Sequence, residues 1–172
     1  MGRTNQESQR SDCGPTVPST SIVTPTWFTG GMTSSVFSQK PDRIERLDVA
    51  VMEQSTVDDL SHIQSLWPRF EELVGLRGRK MFGRADVLLN TYTACTPVRA
   101  DDDAEVLGLQ LGTLFGGLYL RGRLKGEPST IYAAIGDGMN ELQAIQPVDT
   151  TRPLIEFYRR HDEVELWVPV QP

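Results

Sequence analysis

The stretch Arg152-Pro153-Leu154-Ile155-Glu156-Phe157-Tyr158-Arg159-Arg160-His161-Asp162-Glu163-Val164-Glu165-Leu166-Trp167-Val168-Pro169-Val170 consists of two apolar runs flanking a short charged turn. Alternating apolar runs around such a turn predict an antiparallel β-hairpin. Side chains alternate between the faces of a strand, so Leu154, Glu156 and Tyr158 share one face while Ile155 and Phe157 share the other. On the second strand Val164, Leu166, Val168 and Val170 form an aliphatic face, with Glu163, Glu165 and Trp167 opposite. If the hairpin pairs regularly, Glu165 and Trp167 face the same way as Glu156 and Tyr158. One face is then ordinary core, and the other mixes carboxylates with aromatic rings.

Working outward, the chain before the hairpin alternates strand-like and helix-like patterns. Ile44, Leu47, Val49 and Val51 predict a strand to Met52, and Thr56 predicts a helix cap with Asp58 and Asp59 in the first turn. Leu60, Ile63, Leu66, Trp67, Phe70, Leu73 and Val74 draw one apolar stripe on a helix over 57–74. Pro68 inside it predicts a kink or a division, and Gly75 a stop. Lys80 to Phe82 and Val87 to Thr93 read as strands joined through Gly83, Arg84, Ala85 and Asp86. A polar loop carries Asp101, Asp102 and Asp103; it reads as solvated, because no EF-hand-like spacing accompanies the three carboxylates.

An apolar run over Val106 to Leu114 and a Gly116-Gly117 turn lead into a strand over 117–125. A helix follows over 129–145, capped at Ser129, with Ile131, Ile135, Met139 and Leu142 facing inward. Strand 44–52, helix 57–74 and the paired strands of 80–93 therefore match strand 117–125, helix 129–145 and the paired strands of 153–170. The fold class is α+β, a tandem duplication of a β-α-β-β unit. One unit buries too little surface alone, whereas two sharing their sheets form a core and leave a cleft between the halves. Ligand sites favour such junctions.

Composition bounds the function. The 172 residues are enough for one domain, and 38% apolar with 23% charged residues fits a soluble globular chain. A net charge of −6 argues against nucleic acid as the main partner. Cys13 and Cys95 match no metal or redox spacing, and His62 and His161 have no metal-ligand spacing. No run of about 18 apolar residues and no secretory signal pattern is present, so the expected location is the cytoplasm, with no membrane partner. Residues 1–40 are polar and aperiodic, which predicts a flexible leader before a domain over 41–172; Trp27, Phe28, Val36 and Phe37 are its candidate docking residues.

The duplicated unit, the Gly116-Gly117-Leu118-Tyr119 strand start, the Arg152-to-Tyr158 strand and the Glu165-Leu166-Trp167-Val168-Pro169-Val170 ending resemble the GyrI-like small-molecule-binding superfamily. That group includes the effector-binding domains of AraC-type and MerR-type transcription regulators. The resemblance covers residues 43–170, and its most specific parts are the Pro-x-x-Glu-x-Tyr strand and the Val-Pro-Val ending. It implies a cavity between the halves, lined by aromatic rings around a buried acidic residue that pairs with lipophilic cations; Glu156 is the matching position. Regulators of this kind carry a helix-turn-helix before the ligand domain, and residues 1–40 lack the helical periodicity to supply one. The resemblance thus implies a stand-alone ligand domain without direct DNA recognition.

The candidate ligand-binding residues are Glu156, Tyr158, Trp167, Glu165, Tyr92 on the last strand of the first half, and Tyr119 on the strand opening the second. A carboxylate among ring faces suits a hydrophobic cation, because each face attracts positive charge by about 0.5–2 kcal/mol. No metal and no organic cofactor is expected. Homodimerisation through sheet edges, or an unidentified protein partner, stays open. Two other readings stay open as well. Some stand-alone members of the superfamily hydrolyse cyclopropane-bearing alkylating natural products; here Glu156 would act as general base and Tyr158 or Tyr119 would polarise the electrophile. Gyrase-inhibitor-like members instead act through a protein-interaction surface.

Overall fold

The computed structural model describes residues 34–172. The expectations for Cys13, Trp27 and Phe28 lie outside the described residues. The elements are β1 (Asp42–Arg46), β2 (Val49–Val57), α1 (Leu60–Val74), β3 (Met81–Asp86), β4 (Thr91–Pro97), β5 (Gln110–Leu114), β6 (Gly117–Lys125), α2 (Pro128–Ile145), β7 (Leu154–Arg160) and β8 (Glu163–Pro169). All eight strands form one antiparallel sheet in the order β1-β6-β8-β7-β3-β4-β2-β5.

That order contains the duplication. In the first unit β2 pairs β4 and β4 pairs β3; in the second β6 pairs β8 and β8 pairs β7. The units meet where β3 pairs β7, at the middle of the sheet. The strand expected over 44–52 is in fact two strands, broken at Leu47 and Asp48. β1 lies at one end of the sheet and β2 near the other. Six strand spacings would separate them by about 29 Å in a flat sheet, but two linking residues span only about 11 Å. The sheet must therefore curl into a half-barrel. The β5–β6 connection makes the same jump, and the two links touch where the Gly116 N–H donates to the Asp48 carboxylate at 2.7 Å.

Curling gives the sheet two different faces. The inner face holds one apolar cluster with contributions from every strand, including Ile44, Val51, Phe82, Cys95, Leu114, Tyr119, Ile155 and Trp167. The helices cover the outer face. Leu66, Phe70 and Val74 of α1 pack with Met52, Tyr92 and Ala94, while Ile131, Met139 and Leu142 of α2 pack with Leu120, Leu124, Val164, Leu166 and Val168. Phe37 joins the α2 cluster, its ring lying where a side chain at Gly122 would stand. No helix among the described residues is long and apolar enough to cross a membrane.

Local signals differ from expectation in four places. Thr56 lies in β2, where it pairs Tyr92, and Asp59 caps α1 by accepting from the Ser61 and His62 N–H groups. Glu127 caps α2 through the Ser129 N–H, with Pro128 opening the helix, a position where its missing N–H costs nothing. Pro68 sits within a helix that continues to Val74. Gly83 to Asp86 form part of β3, and the turn falls at 87–90, where the Asp86 carboxylate accepts from the Leu88 and Leu89 N–H groups. The Asp101–Asp103 run is structural: Asp102 forms a buried ion pair with Arg79, and Asp103 accepts from the Val106 N–H.

Candidate functional site

Glu156 stands at the junction of the two units, on β7 directly across from Gly83 of β3. It is buried, and one of its carboxylate oxygens accepts two phenolic hydrogen bonds, from Tyr92 and from Tyr158, both at 2.6 Å. The two hydroxyls are 3.3 Å apart, and the Trp67 indole N–H donates to that of Tyr92 at 3.3 Å. Trp67 sits edge-on to Tyr158 with 4.9 Å between ring centroids, and the Tyr132 ring of α2 lies 6.3 Å from that of Tyr158. Four aromatic side chains, one from each helix and one from each of β4 and β7, thus gather around one carboxylate between α1 and α2.

Gly83 makes this packing possible. A Cβ there would collide with the Tyr92 hydroxyl and come within 2.8 Å of the Glu156 carboxylate. Read in sequence as a turn residue, it is a strand glycine that leaves room for a side chain from each neighbouring strand.

Of the six expected residues, the structure brings Glu156, Tyr158 and Tyr92 together. It places Trp167, Glu165 and Tyr119 on the inner face, across the sheet from them. The cause is a β-bulge. Arg160 pairs Glu163 beside the turn, and regular continuation would set Glu156 opposite Trp167 and Tyr158 opposite Glu165. The register instead shifts at Arg159, so Glu156 faces Leu166 and Tyr158 faces Val164. One extra residue exchanges the faces of everything beyond it. The aliphatic face of β8 thus lies beside Glu156. Trp167 packs with Phe82, Phe157 and Tyr119, and Glu165 is buried against the Trp167 N–H and Arg159. The Tyr119 hydroxyl donates to the Phe115 carbonyl.

Two contributors escaped the sequence reading. Trp67 fits the core stripe of α1, and the signal for its other use is that an indole N–H in an apolar stripe needs an acceptor. Tyr132 flanks the stripe of α2 and stays about half exposed (51%), which leaves its ring at the rim of the cluster.

Electrostatics sets the cluster apart from ordinary core. Burial pushes the Glu156 carboxyl above the usual carboxylate range, and the Tyr158 and Tyr92 hydroxyls, donating to it, pull the other way. Both phenols are pushed up, by burial first and by the Glu156 charge second. Among the described residues no cationic side chain pairs with Glu156. The carboxylate is held by neutral dipoles, in surroundings that would strengthen its attraction for an incoming positive charge.

Neither the scan against protein-family models nor the search of curated proteins gave a match. Solved structures do match. An integron cassette protein of Vibrio cholerae, VCH_CASS2, superposes with a TM-score of 0.62 at 16% identity, over 77% of this chain and 97% of that one. SAV2435, solved bound to tetraphenylphosphonium, matches with a TM-score of 0.57 at 16% identity over 77% and 94% of the two chains. A protein of Staphylococcus aureus MU50 described as a bacterial transcription regulator follows at 0.56, 15% identity, and 78% and 99% coverage. The chain has the GyrI-like fold. In this fold, Glu156 occupies the strand through which the two repeats pair, and the aromatic cluster draws one ring from each helix.

Proposed function

We propose that this domain binds a hydrophobic cation between α1 and α2, with Glu156 supplying the charge and Trp67, Tyr92, Tyr132 and Tyr158 the aromatic walls. The observation that carries this reading is a buried carboxylate with two phenolic donors and no cationic partner among the described residues. Such a group is costly to ionise in the empty domain, and an entering cation recovers that cost. Ring faces add about 0.5–2 kcal/mol each when water is excluded. SAV2435, which shares the fold, was solved with a lipophilic cation bound. Trp67 and Tyr158, both partly exposed, pack beside Glu156 and are the side chains that an entering ligand would displace.

Thermal-shift titration tests the proposal. Tetraphenylphosphonium should raise the melting temperature in a dose-dependent way, as mass action requires of any ligand specific to the folded state. Glu156→Gln keeps the shape and removes the charge, and should weaken binding at least about tenfold, equivalent to about 1.4 kcal/mol. Equal shifts in wild type and variant would refute Glu156 as the binding group. Mass spectrometry of recovered ligands separates binding from hydrolysis, since turnover of an electrophile would add one water.

A further inference from the structure

The inner face of the half-barrel carries a second constellation of opposite electrical character. A cavity of about 390 Å³ opens there, with Phe82, Phe157 and Trp167 in its wall and Arg46, Lys80 and Arg99 around it. The Phe82 and Phe157 rings stack at 4.5 Å, and Trp167 stands across them at 5.8 and 5.7 Å; Phe157 is partly exposed, while Phe82 and Trp167 are buried at the cavity wall. The Arg46 guanidinium lies 4.7 Å over the Trp167 ring. Arg46, Lys80 and Arg99 are all exposed, and among the described residues none forms an ion pair. A second cavity of about 480 Å³ shares Arg46, Lys80 and Phe157 and extends toward Arg121 and Arg159. Glu165 lines that extension, but its charge is met by Arg159 at 3.1 Å and by Arg121 and Arg123 at 3.7 and 3.6 Å.

We infer that this inner-face groove is a separate site for an aromatic organic anion, a carboxylate, sulfonate or phosphate carried on a ring system. The rings would lie against Phe82, Phe157 and Trp167, and the anionic group would meet Arg46 and Lys80. Unpaired cations beside an aromatic wall, in a chain whose net charge is −6, form a local field of the sign opposite to the molecule's. The sheet separates this groove from Glu156, so the two sites would not compete.

Fluorescence titration of the full chain with 8-anilinonaphthalene-1-sulfonate tests the inference. Saturable binding is expected, displaced by 1-naphthoate and not by a naphthylmethylammonium of similar size. Arg46→Glu combined with Lys80→Glu should weaken it at least about tenfold, and raising the salt concentration should weaken it in wild type, since exposed charges are screened. Both side chains are exposed, and the single Lys80→Gln variant, expected to weaken binding by a smaller factor, covers the case in which the double variant folds poorly. Glu156→Gln should leave the affinity unchanged. Equal affinity in the charge variants, displacement by the cation, or loss of binding in Glu156→Gln would each overturn the inference.

Discussion

Glu156 is a carboxylate whose partners are two neutral phenols, and its pH behaviour follows from that. Its folded-state pKa is raised by burial above the ordinary value of 4.5. The folded state therefore holds the proton more tightly than the unfolded chain does. That contribution to stability is present in full below about pH 4.5 and is lost as pH rises through the raised value. Glu156→Gln has no such titration, so denaturant midpoints compared across this window should show the variant losing less stability than wild type. Parallel profiles would mean that the carboxylate is not desolvated. At Gly83 the constraint is steric. Gly83→Ala should cost about 1–3 kcal/mol by overpacking and should abolish cation binding, because either Tyr92 or Glu156 must move. Strand alternation made Glu156 and Tyr158 legible as one face, since that pattern is local. The need for glycine at position 83 was not legible: it arises from side chains on two other strands, distant in sequence.

Among the elements, helices and strands with a clear period were readable, and their ends and pairings less so. The stripe from Leu60 to Val74 predicted α1, while the N-cap at Asp59 depended on where β2 stops pairing with β4. The hairpin of β7 and β8 was readable as a hairpin, but its bulge at Arg159 was not, and that one residue decided that Trp167 and Glu165 face the inner side. Trp67 on α1 covers Tyr158 and donates to Tyr92, so a ligand at Glu156 must change its surroundings. Tryptophan fluorescence should respond to tetraphenylphosphonium in wild type and in Trp167→Phe, and lose most of the response in Trp67→Phe. A response that follows Trp167 instead would place the ligand on the inner face.

For the molecule as a whole, the order of patterns along the chain was enough to reveal the duplication, because each unit repeats strand, helix and hairpin in sequence. The curl was hidden, since it follows from two short links that join opposite ends of the sheet. The core also begins before the expected domain boundary: Phe37 packs on α2 beside Gly138, and Phe37→Ala should cost about 3–5 kcal/mol in equilibrium unfolding, as other large-to-small core changes do. A loss under about 1 kcal/mol would mean that residues before β1 contribute little to the core. That the buried Glu156 carboxylate receives the cation is tested by calorimetric titration with tetraphenylphosphonium, near neutral pH and again at about pH 5, in two buffers of different ionisation enthalpy. Tighter binding is expected at the higher pH, with a buffer-dependent heat at the lower pH reporting proton release from Glu156, and both effects should be lost in Glu156→Gln. Affinity independent of pH, with heats identical in both buffers and in the variant, would contradict it.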